Sequence, residues 1–257
     1  MKRVIAIANQ KGGVGKTTTA INLAASLAEA NKSVLIIDSD PQGNTTSGFG
    51  VDKDTLGHTF YDALIGNCYI EQAQVKVRDN ITLLPSNVQL SGAEIELVGY
   101  ENREFLLKAI MKKVKFLYDF VLIDCPPALN MLTLNALTAA DTVLVPIQSE
   151  YFALEGVTQL IHTIELVKER LNKHLQVEGV VFTMTDNTNL SKDVQNEVKE
   201  HLGPYVYQTI IPRTVKLSEA PSHGKTIIEH DPSGRGTLAY KELAKEVIEK
   251  QHVLRVT

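Results

Sequence analysis

The chain has 257 residues, of which 44% are hydrophobic and 22% are charged, and its formal net charge at pH 7 is −4. Such a composition is ordinary for a globular protein that buries a sizeable core, and it argues against disordered, fibrous and disulfide-stapled chains. The only cysteines, Cys68 and Cys125, form neither a metal-ligand motif nor a disulfide framework. The apolar run after residues 1–3 is too short for a signal peptide or a membrane span. We therefore expect a protein of the reducing cytoplasm.

Strand-like and helix-like patterns alternate along the chain. Strands rich in Val, Ile and Leu are predicted over residues 3–8, 34–38, 81–84, 120–124, 142–147, 177–184 and 206–211. Helices are predicted over residues 16–30, 102–116, 129–139, 155–173, 190–202 and 236–250. Strands without polar alternation are typical of a sheet that is covered on both faces. The pattern predicts an α/β fold, a doubly wound and mostly parallel sheet in a single domain over residues 1–257, with its ligand at the carboxyl ends of the strands. In the irregular, Gly-rich stretch 41–80 we expect a mobile loop.

The first predicted strand and helix are joined by the sequence ANQKGGVGKTT, residues 8–18. A Gly-rich turn in this position cradles phosphate with its backbone N–H groups, while a lysine reaches the terminal phosphates and a threonine hydroxyl binds Mg²⁺. The usual spacing is G-x-x-x-x-G-K-[ST]. Here Gln10 stands where the first glycine is expected, and a second lysine, Lys11, follows it. The loop predicts a nucleotide site in which Lys16 neutralises the β- and γ-phosphates.

KGGVGKTT resembles the deviant Walker A motif of the ParA/MinD branch of P-loop ATPases. The segment DSDPQGN at residues 38–44 and the strand FVLIDCPP at residues 120–127 resemble other motifs of that branch, the second its Walker B strand. The segments PIQSEYFALEG at 146–156 and IPRTVKLSEAPSHGK at 211–225 are similar to those of the chromosomal ParA, or Soj, subgroup. The resemblance covers nearly the whole chain, and it implies an ATP hydrolase with the cofactors ATP and Mg²⁺.

Candidate phosphate and magnesium ligands follow from the loop and from the resemblance. The loop residues expected to bind the nucleotide are Lys11, Gly12, Gly13, Val14, Gly15, Lys16, Thr17 and Thr18. Thr17 is expected to give Mg²⁺ an oxygen, and Asp124 to hold the ion through a water, because a bare carboxylate that ends an apolar strand is costly without a partner. A helix cap or a salt bridge is the alternative for Asp124. The resemblance implies that Asp40 orients or deprotonates the attacking water, while Asp38 supports the Mg²⁺ shell or the strand end. The metal-site candidates are thus Thr17, Asp40 and Asp124.

Two roles are open for Lys11. It is either a solvated loop lysine or, as the resemblance implies, it crosses a nucleotide-sandwich homodimer and stabilises transition-state charge on the phosphates bound by the partner. Gly12 would then allow the two backbones to approach closely. In that case ATP binding and dimerisation are thermodynamically linked, and hydrolysis releases the dimer. The catalytic candidates are thus Lys11, Lys16 and Asp40.

The resemblance also implies where the base binds. Met184, at the end of the strand predicted over 177–184, and Pro212 and Arg213, after the last strand, are expected to flank an adenine. The preference for ATP over GTP comes from the resemblance alone.

Non-specific double-stranded DNA and a ParB-type partner that stimulates hydrolysis are implied by the same resemblance, in a chromosome- or plasmid-segregating protein associated with the nucleoid. The negative net charge argues weakly against DNA, but a local basic patch is sufficient for phosphate contact. The candidate DNA contacts are Lys192, Lys199, Arg213, Lys216, Lys225 and Arg235. Lys108, Lys112 and Lys115 share a predicted helix face, a pattern more typical of a solvated surface. Relatives commonly carry an arginine after the strand at 177–184, whereas the loop at 185–190 has no basic residue here.

Other functions fit the sequence less well. A MinD-like membrane-cycling ATPase would end in a basic amphipathic helix, which the tail at 239–257 does not resemble, so no membrane partner is expected. A nitrogenase-type iron protein would need paired cysteines, and a dethiobiotin synthetase-like ligase would lack the second lysine. An ATP-gated, DNA-bound scaffold with little turnover stays open, although Asp40 argues against it.

Overall fold

The computed structural model describes residues 2–150, 153–186 and 188–253. Among these residues eight strands form one sheet in the order β3-β4-β2-β5-β1-β6-β7-β8. The strands are β1 Arg3–Ile7, β2 Val34–Asp38, β3 Val75–Arg78, β4 Ile81–Leu84, β5 Phe120–Asp124, β6 Thr142–Gln148, β7 Gln176–Thr185 and β8 Val206–Pro212. Neighbouring strands are parallel except in the β3–β4 hairpin. The predicted α/β fold with a mostly parallel sheet is confirmed.

Eleven α-helices accompany the sheet in the described part of the chain. They are α1 Lys16–Glu29, α2 Asn44–Gly48, α3 Phe60–Ile65, α4 Leu90–Glu96, α5 Leu106–Met111, α6 Met131–Ala139, α7 Ala153–Arg170, α8 Asn189–Leu202, α9 Val215–Glu219, α10 Ile227–His230 and α11 Arg235–Val253. The sheet separates two apolar cores, because alternate side chains of β1 point to opposite faces: Val4 and Ala6 enter one core, and Ile5 and Ile7 the other. No helix among the described residues combines the length and the hydropathy that a membrane crossing requires.

The helix predicted over 102–116 is wrong. Only α5 forms there, between 3₁₀ turns at Arg103–Phe105 and Lys115–Leu117. Hydrogen bonds from Val114 N to Met111 O and from Leu117 N to Val114 O tighten the chain after α5, and they turn Val114 into the core. Lys108, Lys112 and Lys115 therefore do not share a continuous helix face.

The stretch 41–80 is not the irregular loop that its glycines suggest. It contains α2, α3 and the edge strand β3. The strand was missed because VKVR is short and has no apolar run, as is usual at a sheet edge. The helix α2 is fixed by its threonines, whose hydroxyls bond to buried aspartates at the ends of the central strands.

The other edge of the sheet is closed by a helix. The backbone N–H groups of Gln208 and Thr209 on β8 donate to the carboxylate of Glu246 on α11, at 3.0 and 2.8 Å. The amides that an edge strand leaves unpaired thus find an acceptor within the chain.

Parts of three sequence interpretations lie outside the described residues. These are Tyr151 and Phe152 in the segment at 146–156, Asn187 in the loop at 185–190, and residues 254–257 of the tail.

Candidate nucleotide site

The phosphate loop lies at the carboxyl end of β1, and its shape is fixed by neighbouring strands. Gly13 and Gly15 have φ angles of +74° and +85°, which favour glycine. At the start of the loop, Asn9 accepts from the backbone N–H of Lys11 and donates to the carbonyl of Pro146. At its end, the hydroxyl of Thr183 donates to the carbonyl of Val14 at 2.7 Å. The loop is thus held on both sides and leads directly into α1, the arrangement that binds phosphate.

Lys16 is the buried cation of this loop. The residue is 6% exposed, and its ammonium donates to the carbonyl oxygen of Lys11 at 3.0 Å. Burial lowers the pKa of Lys16, while the charges of Asp124 and Asp40 oppose that shift. The ammonium group of Lys16 thus donates to a single backbone carbonyl oxygen of its own loop. It can bind a phosphate oxygen once this contact is given up.

Asp124 ends β5 beside the loop, fully buried. Its Oδ2 atom accepts from the hydroxyls of Thr17 and Thr45, both at 2.8 Å. Its Oδ1 atom has no hydrogen-bond partner among the described residues. Burial raises the pKa of Asp124 to about 6, an effect that the two hydroxyls partly oppose. In the described part of the chain Asp124 neither caps a helix nor forms an ion pair, so those two alternatives find no support.

Asp38 and Asp40 complete a cluster of three carboxylates, because Asp38 lies opposite Asp124 in the β2–β5 pairing. Asp38 accepts from the N–H and the hydroxyl of Thr46 at 2.8 and 2.7 Å. Burial and the charge of Asp124 raise the pKa of Asp38 to about 7. Asp40 is 8% exposed and accepts from the backbone N–H of Gln42.

These residues fit a magnesium ion that is shared with phosphate. The unpartnered Oδ1 of Asp124 and the hydroxyl of Thr17 are hard oxygen donors, the type that Mg²⁺ prefers. No group of three or more His, Cys, Asp or Glu side chains is arranged as a complete metal cage among the described residues. Mg²⁺ commonly takes only one or two protein ligands and completes its shell with phosphate and water.

A cavity of about 100 Å³ opens beside Gly15, at the start of α1. The three residues predicted to flank the base, Met184, Pro212 and Arg213, all line this cavity. Thr18 and Tyr240 line it as well. Met184 has a φ of +49°, and its sulfur accepts from the amide of Gln148, which also donates to the carbonyl of Gly13. Sequence reasoning gave Gln148 and Tyr240 no role at this site. Tyr240 carried no local signal because it reaches the cavity from α11, which follows α1 by more than two hundred residues.

Lys11 does not turn into the cradle of its own chain. Its side chain is 46% exposed, and its Nζ atom lies 2.6 Å from Oε2 of Glu150, a residue that sequence reasoning also missed. Gly12 is exposed, and the atom nearest to an added Cβ would be the Pro127 Cβ at 4.0 Å. Lys11 and Gly12 therefore present an open surface beside the phosphate loop.

The six basic residues predicted to contact DNA are all exposed and come from five places in the fold. Lys192 and Lys199 lie on α8, Arg213 follows β8, Lys216 lies on α9, Lys225 precedes α10 and Arg235 begins α11. The loop before α8 meets β8 where the backbone N–H of Arg213 donates to the carbonyl of Thr185. Lys216 is paired with Glu219 at 2.9 Å. The rings of His223 and His230 stack nearby, a pair that the sequence did not suggest.

Comparisons with known proteins bear on this site. A family profile described as an AAA domain matches residues 2–177. The chain is 52% identical over 249 residues to the sporulation initiation inhibitor protein Soj of Bacillus subtilis, covering 96% of this chain and 98% of that protein. It is 48% identical over 251 residues to the chromosome partitioning protein ParA of Myxococcus xanthus, covering 96% and 88%.

Among solved structures, the chain is similar to cobyrinic acid a,c-diamide synthase from Mycobacterium smegmatis with bound ADP and magnesium. The identity is 37%, the TM-score is 0.85, and the match covers 98% of this chain and 96% of that one.

Proposed function

The chain belongs to the AAA domain family and, within it, to the Soj and ParA chromosome-partitioning ATPases, and from this membership we propose a DNA-segregating role. It hydrolyses ATP with Mg²⁺ as the cofactor, and the predicted enzyme class is confirmed. The proposal is that two ATP-bound copies form a sandwich dimer, bind double-stranded DNA without sequence preference in the cytoplasm, and respond to a ParB-type partner. The observation that carries it is Lys11, an exposed second lysine beside an otherwise complete phosphate loop.

The catalytic proposal assigns each step to a residue of the site. Lys16 and the backbone N–H groups of the loop bind the phosphates, and Thr17 and Asp124 would hold Mg²⁺. When bound, the ion neutralises charge on the β- and γ-phosphate oxygens. Asp40 orients the attacking water. Phosphoryl transfer depends mostly on positioning and electrostatic stabilisation, which is what a fixed loop and a buried acidic cluster supply.

Dimerisation would complete the site. Lys11 would leave Glu150 and contact the phosphates that the partner binds. Exposed ion pairs contribute about 0–1 kcal/mol, so the contact with Glu150 opposes this exchange only weakly. A cation supplied in trans is worth orders of magnitude in rate in related phosphoryl-transfer reactions.

The DNA surface would be formed by the six exposed basic residues of α8, the β8 end, α9, the turn before α10 and the start of α11. Such contacts neutralise phosphates and release counterions, so we expect affinity to fall steeply with salt. The cargo would be a chromosome, as the name of the Myxococcus xanthus relative says of that protein, or a plasmid.

Asp40→Ala tests the proposal by separating nucleotide binding from turnover. We expect this variant to elute as a dimer in size-exclusion chromatography with ATP and to bind DNA, and to elute as a monomer without nucleotide. Gly12→Val is the matched control, because it should bind ATP and remain monomeric if close backbone approach is required. A monomeric Asp40→Ala protein at saturating ATP would contradict the dimer.

Steady-state hydrolysis separates the remaining functions. We expect stimulation by DNA together with a ParB-type protein. Stimulation by anionic lipid vesicles would instead support a membrane-cycling role, and no turnover under any condition would support the scaffold.

A further inference from the structure

Helix α2 touches the magnesium site directly. Its Thr45 hydroxyl shares the Oδ2 atom of Asp124 with Thr17, at equal distances of 2.8 Å. Thr46, the next residue, is bonded to Asp38 through both its N–H and its hydroxyl, and both threonines are fully buried. Any ligand that engages Thr17 or Asp124 therefore changes what holds the first turn of α2.

The other end of α2 packs backbone to backbone against the basic segment, which we define as residues 213–225. A Cβ added to Gly224 would lie 2.6 Å from the Cα atom of Gly50 and 3.1 Å from its nitrogen. Gly48, the last residue of α2, packs against α1, since an added Cβ would lie 2.4 Å from the terminal methyl of Ile21. Gly50 and Gly224 have φ of +79° and +62°, and the two turns touch so closely that the position of Gly224 leaves no space for a Cβ atom.

One arginine of the edge strand β3 bonds to both turns. The guanidinium of Arg78 donates to the carbonyl of Gly224 at 2.8 Å and to that of Phe49 at 3.4 Å. Its Nε atom pairs with Glu229 on α10 at 2.5 Å. Through these two carbonyl contacts Arg78 connects the end of α2 with the segment that carries Lys216 and Lys225.

We propose that α2 and the Gly50–Gly224 contact transmit the state of the nucleotide site to the basic segment, so that DNA affinity depends on bound Mg²⁺-ATP through a path within one chain. Engagement of Thr17 and Asp124 releases or shifts Thr45, α2 moves with it, and the crowded contact displaces the segment that holds Lys216 and Lys225. The proposal rests on the proposed function, because it takes the basic segment as a DNA surface. Packed elements transmit such shifts because cores and tight contacts deform little.

Gly224→Ala is the central variant, since its Cβ meets the backbone of Gly50 and forces the two turns apart. Gly66→Ala is its matched control: Gly66 has a φ of +87°, so the backbone strain is similar, but no atom lies within 4 Å of the added Cβ. Arg78→Gln is the second variant, and it removes the two carbonyl contacts and the ion pair with Glu229 without altering a glycine. None of these residues contacts the phosphate loop, so all three variants should still bind Mg²⁺-ATP.

Hydrogen exchange measures the coupling without DNA. The reporters are the amides of Gly224 and Lys225, which donate to the carbonyls of Pro221 and Ala220. In the unaltered chain and in Gly66→Ala, Mg²⁺-ATP should change their exchange rates by about fivefold or more relative to the nucleotide-free protein, the lower end of ordinary allosteric coupling. In Gly224→Ala the change should disappear, and in Arg78→Gln it should be reduced. If both variants keep the full change, the proposal is overturned.

DNA binding is measured separately, as the ratio of affinities for a duplex of random sequence with and without ATP. The ratio should fall toward one in Gly224→Ala while ATP-dependent dimerisation, followed by chromatography, is retained. An unchanged ratio in Gly224→Ala would also overturn the coupling. If the unaltered chain dimerises but does not bind DNA, the proposed function fails, and the exchange experiment still decides whether the path exists.

Discussion

Buried charged residues lie at both ends of the sheet, and the two groups differ in the signs of the charges that they bring together. At the amino ends of the strands, Arg3 of β1 lies 3.1 Å from Glu178 of β7, whose carboxylate also accepts from the hydroxyls of Tyr207 and Thr142. At the carboxyl ends, three aspartates gather, and Asp124 has an oxygen without a partner among the described residues. The first group pairs opposite charges, although the Nε and Nη1 atoms of Arg3 have no hydrogen-bond partner among the described residues. The second places like charges together and is costly until a cation binds, which is typical of a functional site.

Glu178→Gln should have the largest effect, because it breaks the paired group and leaves Arg3 buried without a counter-charge. We expect the free energy of unfolding to fall by about 3–5 kcal/mol, measured by urea denaturation. Glu242→Gln, at the exposed pair of Glu242 and Lys245, is the control and should change it by less than about 0.5 kcal/mol. A loss at Glu178 no larger than the control would mean that the buried pair contributes little.

The acidic cluster should make the protein less stable as the pH rises, whereas a carboxylate with a lowered pKa makes a protein more stable. The pKa of Asp38 is raised to about 7 and that of Asp124 to about 6, from 3.8, so the folded chain binds more protons than the unfolded chain between these values. Without Mg²⁺ and nucleotide, the contribution of these two carboxyls to the free energy of unfolding is therefore greatest below about pH 4. This contribution falls as the pH rises to about 7. We expect a loss of at least about 1 kcal/mol, since one pKa unit corresponds to about 1.4 kcal/mol.

Asp124→Asn identifies the source of that slope. The variant should lose less stability than the unaltered chain between pH 4 and pH 7, as followed by urea denaturation in EDTA, and its ATP hydrolysis should fall at least about a hundredfold. A slope identical to that of the unaltered chain would show that the cluster does not carry the pH dependence.

Glu150→Gln should have the smallest effect, because it tests an ion pair at the surface and not a buried charge. The pair of Lys11 and Glu150 is half-exposed, so its loss should leave stability within about 0.5 kcal/mol. Freed Lys11 should strengthen ATP-dependent dimerisation by up to about fivefold, as measured by sedimentation or chromatography. Weaker dimerisation would indicate that Glu150 itself contributes to the interface.

Local sequence predicted the parts of the site that depend on consecutive residues. The phosphate loop with Lys16 and Thr17, and the strand ends at Asp40 and Asp124, could be located because glycine spacing and apolar runs are short-range signals. The base-flanking residues came from the resemblance, and the structure brings Met184 and Arg213 to one cavity.

What the sequence could not predict depends on contacts between distant segments. Arg78 was an ordinary charged residue in an unrecognised edge strand, yet it bonds to a turn 146 positions away in the chain. Gly50 lay in the stretch expected to be a mobile loop and Gly224 carried no prediction, because nothing local indicates that two turns meet there. The helix predicted over 102–116 failed because its apolar spacing is equally satisfied by a short helix and tight turns that bury Val114.

The carboxylate of Glu246 against β8 has a consequence for how copies of this chain associate. By occupying the amides of Gln208 and Thr209, it removes the template on which a foreign strand would extend the sheet. At the opposite edge, Lys76 and Arg78 place positive charge along β3. Both edges of the sheet are thereby protected against strand-to-strand association with another copy of the chain.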